Sequence, residues 1–286
     1  LGKKIVISAD TTCDLPPEIL DKYGISQIPL YISFGDTSYR DGVEITPDEI
    51  YQKFEAEGVL PKTSAISIGD FTEYFGRLLE DAQQVVHFSI SSGLSCTYQN
   101  ALIAAKEFPG RVFPVDTLNL STGQAMMIIR ATELAAEGVS AESIVEDAIA
   151  YRKRVDANFV IESLEFLHKG GRCSALTALG ANLLSIKPCI QVFNGKMDVG
   201  KKYRGKFKIA LQKYLEERLS TDDLDGQRAF LTYAGCSAEI VDFTHQLVLE
   251  SGLFQEVFLT RAGCTISSHC GPNTLGLIVA RKQDLS

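Results

Sequence analysis

The sequence predicts an α/β protein of two domains. An N-terminal α/β/α domain with a mostly parallel sheet is expected over residues 1–154, and a C-terminal two-layer α/β domain with a mixed sheet over 155–286. Three observations carry this expectation. At 286 residues the chain exceeds an ordinary single domain. Short apolar runs alternate with segments of helical periodicity as far as residue 154, the pattern of strands joined by crossover helices. Beyond 155 the order changes, and Asn194-Gly195 between two apolar runs marks an antiparallel hairpin.

Composition narrows the function classes. Apolar residues at 45% and charged residues at 22% are ordinary for a globular chain with a sizeable core. A net charge of -8 argues against a general nucleic-acid binder, because phosphate neutralisation needs a basic surface. No apolar run has the length of a bilayer span, and Leu1-Gly2-Lys3-Lys4-Ile5 lacks a signal-peptide pattern. A cytoplasmic location is expected, with at most transient contact with a membrane. The seven cysteines are odd in number, scattered and without a C-x-x-C pair, which points to reduced thiols rather than a zinc or redox site.

The first strand is expected over 4–8, ending in Ala9-Asp10-Thr11-Thr12-Cys13-Asp14. Asp14 precedes Pro16 and Pro17 and reads as the cap of the next helix, since proline costs least in a first turn. Asp10 is placed beside a ligand crevice at the strand's carboxyl end. A phosphotransferase D-x-D is absent, with Thr12 in the second position. An apolar strand over 27–34 and a turn over 35–42 open a small insert at about 32–62, and Thr46-Pro47-Asp48-Glu49 starts a helix. Residues 61–67 are polar and extended, their hydroxyls either capping the helix from Asp70 or facing a pocket.

The most informative stretch is Ser91-Ser92-Gly93-Leu94-Ser95-Cys96-Thr97-Tyr98, a hydroxyl-rich turn between an apolar strand and a helix starting near Ser95. Free backbone N–H groups, hydroxyls and the positive end of the helix dipole there suit an anion. An ordinary connection in which Ser95 caps its own helix accounts for the same residues. A strand over 111–116 and helices over 121–137 and 141–154, parted by Gly138, complete the first domain.

In the second domain a strand at 159–161 leads to a short helix ending on Gly170-Gly171, with Arg172 beyond it. Small residues at 175, 178, 180 and 181 interleave with leucines, which permits either close helix packing or room for a long apolar ligand. Gly195 to Lys201 imitates a P-loop, but Lys202 replaces the magnesium-binding hydroxyl and the match straddles a hairpin, so no ATP site is expected. The basic run over 201–208 reads as a solvated edge or a docking patch for an anionic surface. Helices over 207–219 and 240–249 alternate with strands over 229–233 and 256–260 before a terminal strand through 277–279. His269 is expected on a loop before Gly271-Pro272. His87, His168 and His245 read as structural or exposed. Cys264, His269 and Cys270 have poor zinc spacing, and no metal is expected.

Four ordered segments together resemble the DegV family of fatty-acid-binding subunits of bacterial fatty acid kinase. They are Ser8 with Ala9-Asp10-Thr11-Thr12-Cys13-Asp14-Leu15, then Lys62-Thr63-Ser64, then Ser91 through Tyr98, and finally Phe166-Leu167-x-Lys169-Gly170-Gly171-Arg172 with His269-x-Gly271-Pro272. The resemblance implies a lipid-binding carrier with no catalytic residue or cofactor of its own, burying one long-chain fatty acid between its domains. A separate kinase subunit would supply ATP and magnesium and form the acyl phosphate. By the same resemblance Thr63, Ser95 and Cys96 would hold the carboxylate, with Arg172, His269 and Asp10 near it and the phosphoryl group. The family usually has Gln-Pro at Ala65-Ile66 and glycine at Cys96 and Asn273, so tail preference is not inherited. The rival from another class is a serine hydrolase acting on acyl esters, with Ser95 as nucleophile, His269 as base and Asp10 orienting it. Thr97 stands where a nucleophile elbow needs glycine.

Overall fold

The computed structural model describes residues 3–173 and 186–285. The small-residue stretch at 175–184 therefore lies outside the described residues. The chain opens on β1 (Lys3–Asp10), a 3-10 turn at Thr11–Cys13, and α1 (Pro17–Tyr23). β2 (Ser26–Ile28) is followed by β3 (Tyr31–Phe34), β4 (Thr37–Arg40), α2 (Pro47–Glu57) and β5 (Lys62–Ser64). Next come α3 (Ile68–Asp81), β6 (Ala82–Ser89), α4 (Thr97–Ala105), β7 (Val112–Asp116), α5 (Ser121–Ala136) and α6 (Ala141–Tyr151). The remainder runs β8 (Val155–Asp156), β9 (Asn158–Ile161), α7 (Glu165–Gly170), β10 (Ile186–Phe193), β11 (Lys196–Arg204) and α8 (Phe207–Leu219). It closes with β12 (Leu224–Ala234), α9 (Ala238–Glu250), β13 (Glu256–Arg261), α10 (Cys264–Cys270) and β14 (Thr274–Arg281).

The first sheet has the order β2-β1-β6-β7 and is parallel throughout. The second is mixed, β11-β10-β9-β14-β12-β13 with β8 on β14, and only the β12–β13 pair in it is parallel. Both sheets follow the fold class expected from sequence. A third, antiparallel sheet β4-β3-β5 occupies the stretch expected as an insert.

α5 explains how the sheets are joined. Every residue from Ser121 to Ile129 is buried, so this helix has no solvent face in its first half. Met126, Met127 and Ile129 share one core with Ile7, Val86 and Phe88 of the first sheet and with Phe159, Ile190, Phe230 and Ile278 of the second. A helix buried on all sides must find partners for its polar side chains within the protein. Its hydroxyls are consumed by specific bonds, as in Thr122 to Thr232 (2.6 Å). The opposite face of the first sheet is covered by α3 and α4 around Phe71, Phe75 and Ala101. α8 packs on the second sheet through Phe207, Leu211 and Tyr214.

Three local expectations are corrected. The apolar run over 27–34 is two strands in two sheets, because Pro29 has no N–H to offer a continuous ladder. Residues 37–40 of the expected turn form β4. Asp14 does not cap α1; the capping position is Pro16, which makes no side-chain bond. Ser67 does cap α3, accepting from Asp70 N at 3.1 Å, which leaves Thr63 and Ser64 for the cavity.

Candidate functional site

The turn after β6 is held from both sides. Ile90 N donates to Asp10 Oδ2 at 2.9 Å, and Ser91 N donates to Asn119 O at 2.9 Å. Ser91 Oγ donates to Gly195 O at 2.7 Å, which ties the turn to the tip of the β10–β11 hairpin. A Cβ on Gly93 would lie 2.5 Å from Gly195 O, so this close approach requires glycine. Ser95 Oγ accepts from Thr97 N at 3.2 Å and sits 2.8 Å from Thr97 Oγ1. Ser95 thus holds the N–H of the first residue of α4 and also lines a cavity, but it is not the expected cap: the capping position is Cys96, whose side chain makes no capping bond. Cys96 is exposed, with φ -80° and ψ 4°, a negative-φ backbone that does not call for glycine. Asn273 has φ 53°, a region that asparagine tolerates better than most residues.

Asp10 lies behind this turn, fully buried, and is not in the cavity wall. Its carboxylate accepts from Thr12 N, Thr12 Oγ1, Gln124 Nε2 and Ile90 N. Burial pushes its pKa up to about 6 against these hydrogen bonds. Asp10 thus positions the turn and touches no ligand space. Ile66 is likewise a core residue beside Phe71, whereas Ala65 faces the cavity.

The far wall is α10. His269, expected on a loop, is in the last turn of this helix. Its Nε2 is 2.8 Å from Thr63 Oγ1, while Nδ1 is buried without a hydrogen-bond partner. Burial, reinforced by the nearby Arg172 charge, lowers its pKa to about 4. His269 is accordingly a neutral hydrogen-bonding group near pH 7 rather than a cation. Arg172 is exposed, donates to Gly170 O at 2.7 Å and supplies the positive charge at this site.

Two acids from distant parts of the chain secure α10. Asp41 is buried and accepts from Cys264 N (2.9 Å), Thr265 N (3.0 Å), Thr265 Oγ1 (2.6 Å) and Thr11 Oγ1 (3.2 Å). Asp14 accepts from Gly263 N at 2.8 Å and from Ser121 Oγ, and burial raises its pKa well above the usual carboxylate range. Both carboxyls sit where the first N–H groups of a helix lack partners. Sequence reading missed Asp41 altogether and assigned Asp14 to the wrong helix.

Five of the six expected site residues, Thr63, Ser95, Cys96, Arg172 and His269, line one cavity of about 200 Å³. Leu30, Leu94, Leu120, Met197 and Ile266 add an apolar wall that sequence reading did not assign. A second cavity of about 30 Å³ adjoins it, sharing Leu120, Ile266 and Cys270. The hydrolase constellation is not assembled. Ser95 Oγ bonds Thr97, His269 bonds Thr63, and Asp10 bonds the turn instead of the imidazole.

The buried titratable groups have opposite pH signatures. His87 is enclosed by Phe71, Phe75 and Tyr74, with Ser8 Oγ at 2.9 Å, and burial lowers its pKa from 6.5 to about 3. Its contribution to stability is full above 6.5 and is lost as pH falls through that window. Asp10 has the reverse sign: its contribution is full below 3.8 and is lost as pH rises to about 6. The Asp10→Asn variant is therefore expected to lose stability more steeply than the natural protein as pH falls from 6 to 3.8. Thermal midpoints across that range check this, and coincident slopes would mean that Asp10 does not titrate there.

A parallel sheet and a mixed sheet sharing one core, with a hydroxyl-lined cavity at a helix head, define a class of two-sheet ligand-binding α/β proteins. The DegV family model matches residues 4–282, and this chain belongs to that family. A solved fatty-acid-binding DegV family protein of Thermus thermophilus is 36% identical with a TM-score of 0.88, covering 97% of this chain and 99% of that one. A stearic-acid-binding protein of Eubacterium ventriosum is 29% identical at a TM-score of 0.83, with 99% of each chain covered. The fatty acid-binding protein of Thermotoga maritima is 33% identical over 282 residues, 96% of each chain.

Proposed function

We propose that this protein binds one long-chain fatty acid between domains spanning residues 1–154 and 155–286, and presents the carboxylate to a kinase subunit. That subunit supplies ATP and magnesium and forms the acyl phosphate. The observation that carries the reading is the joint lining of one cavity by Thr63, Ser95, His269 and Arg172, with an apolar wall at Leu120, Ile266 and Cys270 that it shares with a second cavity. A carboxylate leaving water needs several hydrogen bonds, best from charged or pre-oriented donors. Thr63 and Ser95 hydroxyls and the N–H groups at the head of α4 supply them. The tail gains from burial at about 25 cal/mol per Å² of apolar surface.

Arg172 is placed to offset the charge that grows on a transferring phosphoryl group, a step that depends on positioned cations. His269 contributes a hydrogen bond to Thr63 and no charge, given its lowered pKa. Among the described residues no helix is long and apolar enough to cross a membrane, so the acid is expected to be collected from solution or from a bilayer surface.

Native mass spectrometry of protein purified without added lipid tests the binding step. A fatty-acid-sized adduct is expected. A clean protein mass that also fails to take up added oleate would reject the carrier reading. Acyl-phosphate formation on adding a purified kinase subunit with ATP and magnesium tests the presentation step.

A further inference from the structure

We propose that a surface groove between α2 and α9 docks a basic amphipathic helix of a partner protein. The groove has a volume of about 760 Å³ and shares no lining residue with the head cavity. One bank is a single face of α2, where Asp48, Tyr51 and Glu55 recur at helical spacing with Phe54 beside them. The other bank is the first half of α9, with Val241 and Asp242. The floor lies toward the carboxyl end of the parallel pair β12–β13, at Tyr233, Leu259 and Arg261.

Two properties select the occupant. The first is apolar surface left open: Leu259 is exposed and Phe54 only half-buried, and both line the groove. Apolar side chains gathered in one open concavity mark a surface that a partner covers. The second is charge. Arg261 is the one cation of the lining, and both its terminal nitrogens donate to Asp48. Glu55 and Asp242, one on each bank, have no ion-pair partner among the described residues. The positive end of α9 meets its own cap, Ser237 Oγ accepting from Ile240 N at 3.4 Å. The groove is therefore net negative and repels an anionic bilayer, a nucleic acid or an acidic peptide. A helix whose apolar stripe covers Leu259 and Phe54, with flanking Lys or Arg side chains reaching Glu55 and Asp242, meets both properties. Such a helix sits against the head-cavity wall. Phe54 and Tyr51 contact Phe166 of α7 at 4.7 and 6.1 Å between ring centroids, and Pro272 of the groove follows three residues after His269.

Fluorescence anisotropy with a labelled synthetic peptide of about four helical turns, Leu and Lys placed at amphipathic spacing, tests this at low salt. Saturable binding to the natural protein is expected, and none for the same peptide with Glu in place of Lys. Glu55→Lys with Asp242→Lys is expected to weaken binding by about ten-fold or more, since two attractions become repulsions. Leu259→Ser changes no charge and is expected to weaken it several-fold. Glu137→Lys with Glu146→Lys makes the same change of net charge at exposed positions outside the groove and is expected to leave the affinity within about two-fold. Equal losses in the two charge-reversal pairs, unaltered binding in the groove variants, or spermine binding as tightly as the peptide would overturn the docking of a helix here. So would failure of the natural protein to bind the Leu/Lys peptide. None of these outcomes bears on fatty-acid binding, because the groove and the head cavity share no residue.

Discussion

Thr63→Ala combined with Ser95→Ala is expected to weaken fatty-acid binding on the order of a hundred-fold or more. Each hydroxyl lost from an ionised carboxylate removes about 1.5–3 kcal/mol, and about 1.4 kcal/mol is a factor of ten. The two positions approach the ligand from different elements, β5 and the turn before α4, so each single change is expected to cost roughly ten-fold. Ser95→Ala also removes the acceptor for Thr97 N, with a stability cost of about 1 kcal/mol for the lost hydrogen bond. Binding and stability therefore have to be measured separately, by calorimetry and by chemical denaturation. Thr63→Ser keeps the hydroxyl and is expected to restore most of the affinity, whereas Thr63→Val keeps the shape and does not. Retention of affinity within a few-fold in the double variant would remove these hydroxyls from the site.

Asp41→Ala is expected to destabilise the fold by roughly 3–5 kcal/mol, because it leaves two buried N–H groups and two threonine hydroxyls without their acceptor. Cys264 N, Thr265 N, Thr265 Oγ1 and Thr11 Oγ1 all donate to that one carboxylate, which is itself only 1% exposed. At about 2–4 °C per kcal/mol for a chain of this size, Tm should fall by about 10 °C. Asp41→Asn keeps one acceptor oxygen and should lose about half as much. Because α10 carries His269 and Ile266, the alanine variant should also lose lipid well below its melting point. A denaturation curve matching the natural protein would show that α10 does not depend on this cap.

The parts of the molecule readable from sequence are those set by neighbours along the chain. Alternating apolar runs and helical spacing depend on which face of a segment is greasy, and they located both sheets and most helices. The helix start at Thr46-Pro47-Asp48-Glu49 was legible from its proline, whereas the hydroxyls before Asp70 stayed undivided between cap and pocket until the structure showed capping boxes at both places. The Asn194-Gly195 hairpin was legible because type I′ turns demand positive φ at both positions, and both residues have it. The hydroxyl turn at Ser91–Ser95 was recognised by residue type, and Thr63, Arg172 and His269 entered through their order in a family pattern. Asp10, read beside the ligand crevice from its place at the end of the first strand, is a buried support of the turn.

Packing across the chain decided the rest. α10 has seven residues, too few for a periodic signal, and its start is stabilised by carboxylates 249 and 223 positions away. No local pattern distinguishes an aspartate that caps the next helix from one that caps a helix at the other end of the sequence, since both offer the same two oxygens. Likewise Ile66 and Ala65 are adjacent, yet one enters the core and the other faces the cavity. The chain's local chemistry specified its elements and its hydroxyl-rich helix head. Which side chains meet around the cavity was settled only when α5 was packed between the two large sheets and α10 against α2, α7 and the small third sheet, because burial and hydrogen-bond satisfaction are properties of the assembled interior.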